Sequence, residues 1–126
     1  MKKIVFVCVH NSCRSQIAEA LGKKYLSDKY EFYSCGTSVK DKINPDAVRL
    51  MKEIYGIDME KTQRPKLVSD IPKVDIAISM GCGAACPYIG KDFDEDWGLE
   101  DPTGKNDDTL KKVIAQIEMN VKQIDF

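Results

Sequence analysis

Cys8, Arg14 and Ser15 stand at a spacing that suits nucleophilic chemistry on an oxyanion. The stretch Cys8-Val9-His10-Asn11-Ser12-Cys13-Arg14-Ser15 follows an apolar run, Lys3-Ile4-Val5-Phe6-Val7. After it come Ile17, Ala18, Leu21 and Tyr25 at helical spacing. A loop curling from a strand into a helix start brings backbone N–H groups together and favours an anion among them. Arg14 adds a planar fork of donors matched to a tetrahedral oxyanion. Cys8 falls on the floor of this cup, where a positive field holds a cysteine as its reactive thiolate. Ser15 can donate a further hydrogen bond to that sulfur, and Asn11 tolerates the left-handed backbone of a tight loop. Val9, His10, Asn11, Ser12, Cys13, Arg14 and Ser15 are therefore the expected oxyanion-binding residues. Cys-x5-Arg alone is a weak pattern, and a buried structural cysteine followed by an unrelated arginine is the competing account. The strand before, the helix after and the serine beside Arg14 favour the cup.

Two more stretches carry chemistry. Gly81-Cys82-Gly83-Ala84-Ala85-Cys86-Pro87 follows Val74–Met80, which reads as a buried strand. If that strand lies near the first, its trailing loop brings Cys82 towards Cys8, and the flanking glycines give it freedom to approach. Cys82 and Cys86 are four residues apart, within disulfide reach of each other. Two small buried thiols at a strand end are the alternative. Asp101 precedes Pro102 in a turn closed by Gly104, and a carboxyl there can protonate an oxygen leaving from the anion. Beside a thiolate and an oxyanion its pKa is expected to rise. Glu100 is the competing carboxylate, and plain turn chemistry is the competing role for Asp101.

These groups need elements that gather them. Glu31–Cys35 alternates as a second strand ended by Gly36, with Cys35 a small core residue. Asn44-Pro45 is a helix start, Gly56 its end, and Ala47, Val48, Met51, Ile54 and Tyr55 its expected buried stripe. Pro65 to Pro72 reads as irregular or a short helix, and a short edge strand is expected around Trp97. The last helix begins near Asp107 or Asp108, with Leu110, Val113, Ile114, Ile117, Val121 and Ile124 facing the core. Strands alternating with helices predict a doubly wound α/β sheet. Right-handed crossovers then set the loops after strands one, three and four on one edge.

Composition bounds the rest. The 126 residues make one domain, 1–126, with 43% hydrophobic and 31% charged residues, as in an ordinary globular protein. A net charge of −1 gives no argument for nucleic acid or an anionic membrane surface. Met1-Lys2-Lys3 leads directly into a strand-length apolar segment, so neither a membrane span nor a signal peptide is expected, and a cytoplasmic location is. The 5 cysteines are an odd set, which favours redox or nucleophilic roles over structural disulfides. Cys82-x3-Cys86 has no matched pair and the chain has 1 histidine, so no metal site is expected.

Cys8-x5-Arg14-Ser15 resembles the phosphate loop of the low-molecular-weight protein tyrosine phosphatase fold. The fuller run Asn11-Ser12-Cys13-Arg14-Ser15-Gln16, with Ala18-Glu19, resembles the thioredoxin-coupled arsenate reductases built on that fold. The resemblance runs from the first strand to the Asp-Pro turn. It implies a three-layer α/β sandwich around a central, mainly parallel four-stranded sheet. It implies that Cys8, Arg14, Cys82, Cys86 and Asp101 are catalytic. Cys8 would attack arsenate and Asp101 would protonate the departing hydroxide. Cys82 would then resolve the adduct and Cys86 would take over the disulfide, which thioredoxin or another thiol reductant reopens. Phosphate or sulfate is expected in the same loop. No cofactor is expected, and a monomer is. The runner-up is a tyrosine phosphatase using Cys8, Arg14 and Asp101 alone. Thr103-Gly104-Lys105 stands where such enzymes carry aromatic residues, which gives a small, open wall. A non-catalytic oxyanion sensor is a third reading, and the complete Cys-Arg-Asp set counts against it. The sequence departs from the family in two places. His10 stands where familiar members have glycine. Some of these reductases bind potassium through residues matching Asn11, Glu19, Ser34 and Thr62, but an acidic member of that set aligns with Arg64, whose cationic side chain argues against potassium. Cys13 reads as a packing residue.

Overall fold

Four parallel strands in the order β2-β1-β3-β4 form the sheet of this computed structural model, which describes residues 1–81 and 89–126. In chain order the elements are β1 (Lys2–Val7), α1 (Arg14–Leu26), β2 (Tyr30–Cys35), α2 (Pro45–Tyr55) and α3 (Met59–Thr62). A 3₁₀ turn (Val68–Asp70), β3 (Ile76–Ser79), β4 (Glu95–Asp96) and α4 (Asp107–Lys122) follow. The expected parallel sheet is present, and every described pairing in it is parallel.

β1 lies between β2 and β3, which is why its run has no polar face: Ile4, Val5, Phe6 and Val7 are all fully buried. Ile4, Phe6, Ile76 and Ile78 share one core with Ile17, Leu21, Leu50, Met51, Ile114 and Ile117 of the helices. Phe6 stacks on Phe32 there, with ring centroids 5.9 Å apart. Val5, Val7, Cys35 and Ala77 form the second core, against Val68, Ile71, Val74, Ile89 and Phe93. The sheet is thus the middle of three layers. Cys35 packs in the second core as expected, and burial pushes its thiol pKa up to about 12.

Helix ends follow the local chemistry. Asn44 Oδ1 accepts from the N–H groups of Asp46 (2.9 Å) and Ala47 (3.3 Å), with Pro45 at the first helical position. Gly56 ends α2 at a φ of 70°. The stripe of α2 differs from expectation at one position: Ile54 is 47% exposed, and Leu50 is fully buried instead. β3 is shorter than Val74–Met80, although Asp75 and Met80 still donate to Lys3 O and Val7 O beyond its ends. Among the described residues no helix is long and apolar enough to cross a membrane. Because the strands run parallel, the chain leaving β1, β3 and β4 emerges on one edge, and the site lies there.

Candidate active site

The chain turns immediately after β1. The Cys8 N–H still donates to Cys35 O at 3.2 Å, and Asn11, at a φ of 48°, makes the left-handed step expected of it. Every carbonyl from Val9 to Cys13 is then engaged. Val9 O accepts from the N–H groups of Thr37 (3.1 Å) and Ser38 (3.0 Å), and His10 O from that of Lys40 (3.2 Å). Asn11 O accepts from Gln16 Nε2 (3.0 Å), Ser12 O from the N–H of Asn44 (2.7 Å) and Cys13 O from that of Ile17 (3.0 Å). By contrast, none of the amides of Val9 to Cys13 donates to a protein acceptor among the described residues. A loop whose acceptors are engaged and whose donors are not is built to hold an anion. α1 begins at Arg14 without a side-chain cap and adds its first-turn amides to the same end.

Segment 37–44 is therefore a strap along the loop, and it starts at Gly36 for a steric reason. A Cβ there would lie 2.4 Å from Val9 O and 2.5 Å from Cys8 O.

The nucleophile is braced from behind. Cys8 Sγ lies 2.9 Å from Ser15 Oγ, which itself accepts from Asn11 Nδ2 at 2.9 Å. With Asn11 donating to it, the Ser15 hydroxyl keeps its own hydrogen for the sulfur. Asn11 Oδ1 accepts from Gln16 Nε2 (3.0 Å) and the Lys66 N–H (2.8 Å), and Gln63 Nε2 donates to Gln16 Oε1 (2.8 Å). Asn11, Ser15 and Gln16 are fully buried, so this polar network is satisfied within the protein. Arg14 Nη1 donates to Met80 O (3.0 Å) and Leu99 O (2.8 Å), tying the ends of β3 and β4 to the loop.

The result is a cleft of about 450 Å³. Cys8, Val9, His10, Ser12, Cys13 and Arg14 line one side, and Gly81, Leu99, Asp101 and Thr103 the other. Asn11 and Ser15 lie behind this lining and act through Cys8. A groove of similar size, about 480 Å³, runs over β2 beside Lys23, Tyr33 and Arg64, but it holds no nucleophile. Chemistry rather than volume selects the cleft. Of the two candidate carboxylates Asp101 borders it, whereas Glu100 pairs with Lys105 at 2.5 Å.

Asp101 corrects one expectation. Burial does raise its pKa, but the Thr103 hydroxyl and N–H (3.1 Å to Oδ1), with the charges of Arg14 and Lys40, outweigh burial and hold the carboxyl below its ordinary range. Cys13 behaves as a packing residue: burial, then the charges of Asp101 and Cys8, push its thiol pKa up to about 12. The cation expected at Arg64 comes from another residue. Lys66 Nζ lies 3.1 Å from the buried Glu19 Oε1 and 2.9 Å from Arg64 O, and Ser34 Oγ donates to Glu19 Oε1 at 2.5 Å. The Arg64 side chain is exposed and gives its carbonyl to this cluster. Among the described residues no group of three or more His, Cys, Asp or Glu could hold a metal ion. Cys82 and Cys86 lie outside the described residues. The strap, Gln63 and Lys66 escaped the sequence reading, since the strap works through backbone amides and Lys66 stands in an irregular stretch.

The family description "Low molecular weight phosphotyrosine protein phosphatase" matches residues 3–125. The chain is 36% identical to a glutaredoxin arsenate reductase of Synechocystis sp., across 98% of this chain and 96% of that one. Its fold is similar to that of an arsenate reductase in the phosphate binding state, with a TM-score of 0.83, 36% identity and coverage of 97% and 95%. It is also similar to a thioredoxin-dependent arsenate reductase of Corynebacterium glutamicum, with a TM-score of 0.74 and 31% identity, over 98% of this chain and 59% of that one. With a cysteine beneath an amide cup, an arginine at the start of the helix and a match over nearly the whole length, this chain belongs to the low molecular weight phosphotyrosine protein phosphatase family.

Proposed function

We propose that this chain is an arsenate reductase working by a relay of three cysteines. The Cys8 thiolate attacks arsenic(V), and a hydroxyl of the arsenate departs as water. Asp101 delivers the proton. Because its carboxyl is ionised in the free enzyme, that proton arrives with the arsenate, which is partly protonated near neutral pH. The Cys82 thiolate then attacks Cys8 Sγ. The electron pair of the S–As bond goes to arsenic, arsenite leaves and a Cys8–Cys82 disulfide remains. Cys86 attacks Cys82, freeing Cys8 as a thiolate, and an external dithiol such as thioredoxin or glutaredoxin reduces the Cys82–Cys86 bond. A cytoplasmic, monomeric enzyme fits this use of free thiols.

One observation carries the reading of the site: around a sulfur held by Ser15, the carbonyls of Val9 to Cys13 are engaged while their amides donate to no acceptor among the described residues. Support for the relay comes from Gly81, which borders the same cleft. Cys82 is the next residue in the sequence. The names of the similar proteins support arsenate as the substrate and thioredoxin or glutaredoxin as the reductant. Cleft chemistry favours a small inorganic oxyanion over an aryl phosphate, since none of the described lining residues is a phenylalanine, tyrosine or tryptophan.

The test compares arsenate-dependent turnover, coupled in turn to thioredoxin and to glutaredoxin, with hydrolysis of p-nitrophenyl phosphate. Reduction should dominate, and Cys8→Ser should abolish both activities because a hydroxyl cannot supply the anionic nucleophile. Hydrolysis without arsenate reduction would make the chain a phosphatase.

A further inference from the structure

His10 is the single histidine of the chain, and it borders the cleft. Its Nδ1 lies 2.8 Å from Ser38 O. A carbonyl only accepts, so Nδ1 carries a hydrogen in both charge states and Nε2 is the atom that gains and loses the proton. The strap holds this residue twice, because the Lys40 N–H also donates to His10 O at 3.2 Å. A ring fixed in this way leaves Nε2 without a hydrogen-bond partner among the described residues.

We propose that His10 is a specificity-determining residue for the oxyanion, whose Nε2–H in the imidazolium form adds a charged donor to the amide cup and tightens binding of dianions. The proposal rests on the reading of the cleft as an oxyanion site. The groups facing His10 there are Cys8, Cys13 and Arg14 from the loop and α1, Lys40 from the strap and Asp101 from the turn after β4. Arg14 and Lys40 contribute positive charge, Asp101 is an anion above its depressed range, and burial keeps Cys13 a neutral thiol. Cys8 and His10 are the remaining groups of the cleft that can exchange a proton. Coupling between the anion and the imidazole proton is reciprocal, so a bound dianion must strengthen the hold of His10 on its proton by the same factor.

Sulfate is the probe, because its own charge is constant across this range. Its affinity for Cys8→Ser, which removes the thiol, should fall about tenfold between pH 5.5 and 8.5 when measured by calorimetry. The Cys8→Ser/His10→Gln double variant should lose that dependence. In the unaltered protein, the imidazole titration followed by NMR should move to higher pH when sulfate saturates the site. Sulfate binding that is equally tight at both pH values, or a fall that persists in the double variant, overturns the role of His10 alone. An imidazole titration indifferent to saturating sulfate does the same without any variant. No sulfate binding at any pH would overturn the oxyanion site itself.

Discussion

Asp101 is held by Thr103 in a turn that keeps it ionised, so the proton transfer proposed for it and its effect on stability pull on the same group. Asp101→Asn should slow formation of the Cys8–arsenate adduct by about 10²–10⁴-fold, as loss of a general acid does, while sulfate still binds. Rapid mixing with single-turnover detection of arsenite reads the first effect, and calorimetry the second. A comparable loss in Glu100→Gln instead would assign the proton transfer to the other carboxylate. The sign for stability follows from the depressed value. The ionised carboxyl stabilises the fold fully above about pH 4, where the unfolded side chain is ionised too. That contribution is lost as the pH falls through the lower folded value. Asp101→Asn should therefore flatten this part of the acid limb in a plot of Tm against pH.

At the level of elements, the loop after β1 is held between the strap on one flank and the Gln16–Gln63–Lys66 network on the other. Gly36→Ala places a Cβ within 2.4 Å of a loop carbonyl, so the loop or β2 must shift. We expect a loss of about 1–3 kcal/mol in urea unfolding, with weaker sulfate binding, because the displaced carbonyls belong to the residues that present the amides. Lys66→Met should cost roughly 2 kcal/mol by the same measurement, less than a fully buried pair, since Glu19 keeps Lys23 and Ser34. With the Lys66 ammonium already on that carboxylate, exchanging potassium for sodium at constant ionic strength should leave the Tm and sulfate affinity of the unaltered protein unchanged. A marked gain with potassium would show that this cluster admits the ion. Much of this level was legible in the sequence. β1 was plain because a central strand is apolar on both faces, and α2 because Asn44, Pro45 and Gly56 mark its ends. Four-residue α3 was missed because so short a helix carries no period. Ile54 was misplaced because helical spacing puts it on the same face as Leu50, one turn nearer the end of α2, and cannot tell where the cover over that face stops.

For the molecule as a whole, the sheet order sets the ends of β1, β3 and β4 on one edge, and a relay between distant cysteines depends on that arrangement. Cys86→Ser should release about one arsenite per enzyme and stall as a Cys8–Cys82 disulfide, visible by peptide mapping after one turnover. Cys82→Ser should fail earlier, before rapid arsenite release. Full thioredoxin- or glutaredoxin-dependent turnover by both variants would remove the relay. At the site, Cys8, Arg14 and Asp101 border one cleft, and their types singled them out in the sequence because chemistry restricts which side chains can act on an oxyanion. The direction of the Asp101 shift was not legible there, since it depends on Thr103 hydrogen-bonding the carboxyl and on the charges of Arg14 and Lys40 brought near it. The strap was hidden for a related reason, and the reason has a consequence. Residues Thr37, Ser38, Lys40 and Asn44 hold the loop by main-chain amides, which nearly any amino acid possesses. Selection can therefore rewrite this segment without disturbing the anion cup beside it. A library randomised at Ser38, Val39, Lys40 and Asp41 should yield many folded, sulfate-binding proteins that differ mainly in what they admit at the rim.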